Sequence, residues 1–73
     1  MNALESTVLW RLCHPAGRRA RAVLLPGTPQ LTLTLFIDNV MDRAENFDAT
    51  DVALFRADDI KHTLLADGWK ADE

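Results

Sequence analysis

The side chains able to do chemistry in this 73-residue chain are few: one thiol, two imidazoles, scattered carboxylates and a cluster of arginines. Cys13 and His14 are adjacent, the residue types of a nucleophile and its base. A base must hydrogen-bond the thiol to draw its proton, yet neighbours in an extended strand point to opposite faces. The pair therefore predicts no thiol activation, only a strand-end cysteine and a turn histidine. With His62 these two offer ligand types for zinc, but no spacing sets two of them on one helical turn, so no metal site is expected. Asp58 and Asp59 diverge by roughly 100° on a helix, which makes a solvated face and not a converging acid–base pair. Gly17 and Gly27 are single turn glycines without the repeat of a phosphate-cradling loop. No catalytic residue, metal or cofactor is expected, and the chain reads as a protein that is not an enzyme.

What remains is the arginine cluster, Arg18, Arg19 and Arg21 with Arg11 on a neighbouring strand. Alternation places Arg11, Arg19 and Arg21 on one face of a sheet with Thr32, Thr34 and Phe36. A basic sheet carrying an aromatic could stack and hold single-stranded nucleic acid, so Arg11, Arg19, Arg21 and Phe36 form a candidate nucleic-acid surface. Such platforms usually offer two or three aromatics, and this one offers Phe36 alone. The same face holds Leu9, Val23, Leu25 and Phe36, more large apolar side chains together than a monomer normally exposes. These four residues are the candidate interface for a second copy of the chain or for another protein partner.

The elements that position these residues are legible from period. Ser6 to Cys13 alternates, with Val8, Trp10 and Leu12 set against Thr7, Leu9 and Arg11, as suits a half-buried strand. His14-Pro15-Ala16-Gly17 breaks the run, and Arg18 to Leu25 alternates again, giving a hairpin with a four-residue loop. After the turn Pro26-Gly27-Thr28-Pro29, residues Leu31, Leu33, Leu35 and Ile37 with intervening threonines form a third strand. Asp38-Asn39 reads as a two-residue hairpin turn leading to a short edge strand, Val40 to Glu45, whose charges discourage further pairing.

Phe47 to Trp69 then carries a full set of helix signals. Asp48 is the expected N-cap with Asp51 adding first-turn charge, and Phe47 and Val52 occupy the positions of a hydrophobic staple. Ala53, Ala57, Ile60 and Leu64 form the core stripe, while Phe55 lies well away from it. Gly68 and Trp69 fit the C′ and C″ positions of a Schellman ending.

The expectation is an α+β fold: an antiparallel meander of three to four strands over residues 6–46, then one helix at 48–67 laid on one sheet face, with residues 1–5 frayed and 70–73 a tail. The helix residues Ala53, Arg56-Ala57-Asp58, Leu64 and Gly68-Trp69 resemble a helix that recurs in small bacterial proteins with no attached activity. That resemblance implies a bacterial cytosolic source and no site.

Length and charge bound the function further. One domain of this size buries only about 60% of its unfolded surface, and a lone cysteine closes no internal disulfide, so association is a natural source of added stability. The cysteine usage fits a reducing cytoplasm, and the absence of a charged leader or a long apolar run predicts neither secretion nor membrane insertion. The net charge of −3 hides an asymmetry: residues 1–37 carry four arginines against one glutamate, and residues 38–73 carry four basic against ten acidic side chains. The molecule is expected to have two unlike surfaces. The leading expectation is a non-catalytic interaction module, acting as a homodimer or accessory subunit.

Overall fold

The structure, a computed structural model, describes residues 6–27 and 30–72. The fraying expected at 1–5 and the Thr28-Pro29 part of the second turn lie outside the described residues. In chain order the elements are β1 (Thr7–Cys13), β2 (Arg19–Leu25), β3 (Leu31–Ile37), β4 (Val40–Phe47), α1 (Thr50–Ala66) and β5 (Lys70–Ala71). They form one antiparallel sheet in the order β4-β3-β2-β1-β5, followed across one face by α1, which is the α+β meander that the periods predict.

Turn chemistry sets the two tight connections. Asp38 and Asn39 both adopt positive φ (53° and 68°), the conformation of a type I′ hairpin, which short Asx side chains tolerate. Gly17 (φ 91°) closes the β1–β2 loop, where the Gly17 N–H donates to the His14 carbonyl at 2.8 Å.

Two irregularities interrupt the ladders. One residue is extra in β1 between Val8 and Trp10, and one in β4, where the register shifts beside Leu35 and Phe36. The first inverts the alternation upstream of Trp10. Val8 pairs with Val23, and Leu9 packs against the core on the helix side. Leu9 therefore does not belong to the open face where strict alternation placed it; Val8 takes that position.

The core lies between the sheet and α1. Ala22, Leu33 and Leu35 meet Ala57 and Ile60 in one cluster, and Leu12, Ala20 and Trp69 form a second beside it. The small side chains Ala53 and Ala57 let the helix approach closely enough for the Trp10 indole N–H to donate to the Ala57 carbonyl at 3.0 Å.

Both ends of α1 depend on the sheet. Its N-cap is Ala49, with no side-chain capping bond, and Asp48 instead accepts a hydrogen bond from Gln30 Nε2 at 3.1 Å. Pairing of Phe47 with Leu31 holds the chain in β4 up to Phe47, so the helix starts too late for Asp48 to cap it. The expected staple is absent for the same reason: Phe47 packs on the core from β4, and Val52 is 52% exposed. The C-terminus closes as a Schellman motif, with Gly68 N–H donating to the Leu65 carbonyl at 3.2 Å and Trp69 N–H to that of Leu64 at 3.1 Å. Gly68, at φ 98°, turns the chain back so that Trp69 drops onto Leu12 and Ala20. Lys70 and Ala71 then pair with Cys13 and Leu12, so the segment expected as a tail begins with a fifth strand.

Candidate functional site

The sheet face away from α1 is built from alternate residues of four strands. Across it, Cys13 stands opposite Arg19, Arg11 opposite Arg21, Val8 opposite Val23, and Leu25 opposite Thr32. Next to these, Phe36 pairs with Met41, and Thr34 with Ala44. The face thus divides along the strands: arginines gather near the hairpin tips, and apolar or neutral side chains fill the other end.

At the apolar end, Val23 and Thr34 are buried by their neighbours, while Val8 (37%) and Leu25 (39%) stay exposed; Met41 (59%) is exposed on the rung of Arg11, Arg21 and Phe36. Of the candidate interface, Val23, Leu25 and Phe36 occupy this face, and Leu9 does not. Val8 and Met41 are the members that strict alternation missed. Val8 was hidden by the bulge, whereas Met41 was discoverable from the Asp38-Asn39 turn, which sets it opposite Phe36.

At the basic end the Arg21 guanidinium lies over the Phe36 ring, 4.2 Å from its centroid, and donates to Asn39 Oδ1 at 2.7 Å. The one aromatic on this face is therefore capped by a cation, and a flat guanidinium is presented in place of a ring. Asp38 anchors the hairpin tips: its carboxylate accepts from the Arg19 N–H at 3.0 Å and from Arg18 Nε at 3.1 Å. The Arg19 backbone bond first, and the Arg18 bond second, hold this carboxyl below the ordinary value of 3.8.

The helix side carries a second concavity of about 500 Å³, with Leu35, Ile37 and Ile60 among its walls and Arg18, Arg43 and Arg56 at its rim. Each of those arginines is already engaged. Arg56 makes a two-pronged bond to Glu45 (3.1 and 3.2 Å) and a third to Asp59 at 3.0 Å, and Glu45 pushes its pKa further up. Arg18 pairs with Asp38 and Arg43 with Asp42. At this rim Arg56 latches α1 to β4 through Glu45.

The remaining chemistry-bearing residues do not converge. Cys13 faces the open side between Arg19 and Lys70, while the His14 ring stacks edge-on against Trp69 at 5.3 Å and takes a bond from the Ala16 N–H on Nδ1. His62 pairs with Asp58 along the exposed side of α1 at 3.4 Å. Among the described residues no three His, Cys, Asp or Glu side chains gather as metal ligands, and no helix is long and apolar enough to cross a membrane. Comparison with protein-family models, with curated proteins and with solved structures found no match.

Proposed function

We propose that this protein is a non-catalytic interaction module that pairs with a second copy of itself through the apolar end of its open sheet face. The observation that carries this reading is the apolar patch of Val8 and Leu25, both exposed, beside Val23 on a face that none of the described elements covers. The edges favour a face-to-face contact over sheet extension. β4 carries a bulge together with Asp42, Arg43 and Glu45, and the part of β1 that β5 leaves unpaired carries a bulge at Leu9, all of which resist edge pairing with another strand. Antiparallel stacking about a two-fold axis through Val23 would bury the apolar halves and leave the two arginine ends at opposite extremities, away from each other. The single thiol and the short core suit a cytosolic bacterial setting in which association supplies the missing burial.

Leu25→Asp tests the contact. It places a charge in the apolar patch beside Val8 and Val23 at a site exposed in the monomer, so the fold survives while the dimer is lost, shifting the dissociation constant by at least about tenfold. Phe36→Asp is a poorer probe, since Arg21 would pair with the new carboxylate. Phe55, 76% exposed on the outer side of α1, provides the control: Phe55→Asp leaves the dimer intact. Sedimentation equilibrium reads both variants. A wild-type monomer at every concentration sinks the homodimer, dissociation by Phe55→Asp moves the contact to the helix, and a heterologous partner competing with self-association would make the chain an accessory subunit.

A further inference from the structure

Arginines that stand directly opposite one another on a sheet repel, because directly opposed side chains sit with Cβ atoms about 5 Å apart. Arg11 and Arg21 are such a pair. Of the six arginines, Arg18, Arg19, Arg43 and Arg56 each have a carboxylate within 4.0 Å, and among the described residues Arg11 and Arg21 have none. The acids nearby are taken: Asp38 holds Arg18 at 3.1 Å and Asp72 holds Arg19 at 3.9 Å. Two arginine charges are left over, side by side, on the wall of a concavity of about 330 Å³ that Gly17 and Asn39 also line, together with Arg19 and the carboxylates of Asp38 and Asp72. That volume is at the small end of ligand sites. One of the two cations is already positioned, since Phe36 beneath it and Asn39 at its edge fix the Arg21 guanidinium, so little side-chain freedom remains to be lost on binding.

We propose that Arg11 and Arg21 hold a phosphate-type dianion, the head group of a small phosphate monoester, at the hairpin end of the open face. The charge matches, two against two, and guanidinium forks bind phosphate oxygens in pairs. Binding also removes the repulsion that the opposed arginines impose on the empty protein. The site lies at the other end of the face from Val8, Val23 and Leu25, so it does not rest on self-association. Nor does it need a long polyanion, for the net charge of the chain is −3 and the two arginines without a carboxylate partner among the described residues stand together at this one spot.

The test is an amide-shift titration at fixed ionic strength with methyl phosphate, dimethyl phosphate and an oligothymidylate lacking terminal phosphates. Methyl phosphate gives a saturable shift at the amides of Arg11, Arg21 and Asn39, which fades as pH falls through the second ionisation of a phosphate monoester near about 6. Dimethyl phosphate, a monoanion, binds at least about tenfold more weakly. Arg11→Gln weakens methyl phosphate by a similar factor, yet in the absence of ligand it melts no lower than wild type, because an uncompensated like-charge contact has been removed. Arg21→Gln also abolishes the response. A flat methyl phosphate titration overturns the site, and so does an Arg11→Gln variant that binds as wild type does. Tighter binding of the oligothymidylate than of methyl phosphate through the same amides overturns it in favour of a single-stranded nucleic-acid surface.

Discussion

Gly68 shows how much one residue decides here. Its φ of 98° is open to glycine and strained for a β-branched side chain, and it reverses the chain at the end of α1 so that Trp69 can bury itself. A Cβ at this position would sit 3.6 Å from His14 Nε2, an ordinary contact, so backbone strain and not crowding sets the cost. Gly68→Val is expected to lose about 1 kcal/mol or more in thermal unfolding, and an unchanged melting temperature would disprove the ending described above. Asp38 is the other residue whose effect can be isolated. Its folded pKa lies below the ordinary 3.8, so the stability it adds is complete above that pH and disappears as pH falls through the depressed folded value. Wild type should melt above Asp38→Asn at neutral pH, and the two curves should begin to approach below pH 3.8 and converge once the pH is below the depressed folded value. A gap that persists in acid would mean that the carboxylate charge is not the cause.

At the scale of elements, the least legible segment is the last. Lys70-Ala71 is too short and too polar to announce a strand, and its place beside β1 depends on Trp69 finding Leu12 and Ala20. The two contributions separate experimentally. Trp69→Ala empties a site only 7% exposed and is expected to cost about 3–5 kcal/mol in urea unfolding. Ending the chain after Trp69 removes two ladder pairs and the Arg19–Asp72 ion pair, and should cost roughly 1 kcal/mol. Equal losses would show that β5, and not the indole, is what anchors the C-terminus. The helix start follows the same logic in reverse: Asp48 is a good capping residue by type, but the β3–β4 ladder extends to Phe47 and leaves Ala49 at the cap.

For the whole molecule, the radius of gyration of 12.5 Å exceeds the roughly 11 Å of a compact chain of this length. The extents are 38 × 22 × 20 Å, and one helix on the sheet leaves its other face uncovered by the described elements. Four long strands of about seven residues give that face a planar footprint of roughly 450 Å², to be set against the ~800 Å² per partner of a standard interface. A dimer of this size is weak, so its mass action should be visible: the melting temperature should rise with protein concentration, and Leu25→Asp should abolish the dependence. Melting curves that superimpose across the accessible concentration range would remove the dimer as a source of stability.

Sequence alone determined what depends on local period and local backbone preference. The alternations of β2 and β3 and that of β1 from Trp10 on, the Asx turn at Asp38-Asn39, the core stripe of α1 and the glycine that ends it each carry their cause within a few residues, and each stands in the structure. The basic and apolar character of the open face followed from the same alternation. Tertiary structure decided what depends on pairing across strands. A single extra residue in β1 exchanged Leu9 for Val8 on the open face, because strand parity is reset by any bulge, and no local signal marks one here. The ladder partner also chose which carboxylate each arginine meets, joining Glu45 to Arg56 and Asp72 to Arg19 across distances that sequence spacing does not encode. Arg11 and Arg21 were left facing each other by that pairing, since charge is written in the residue and its compensation only in the fold.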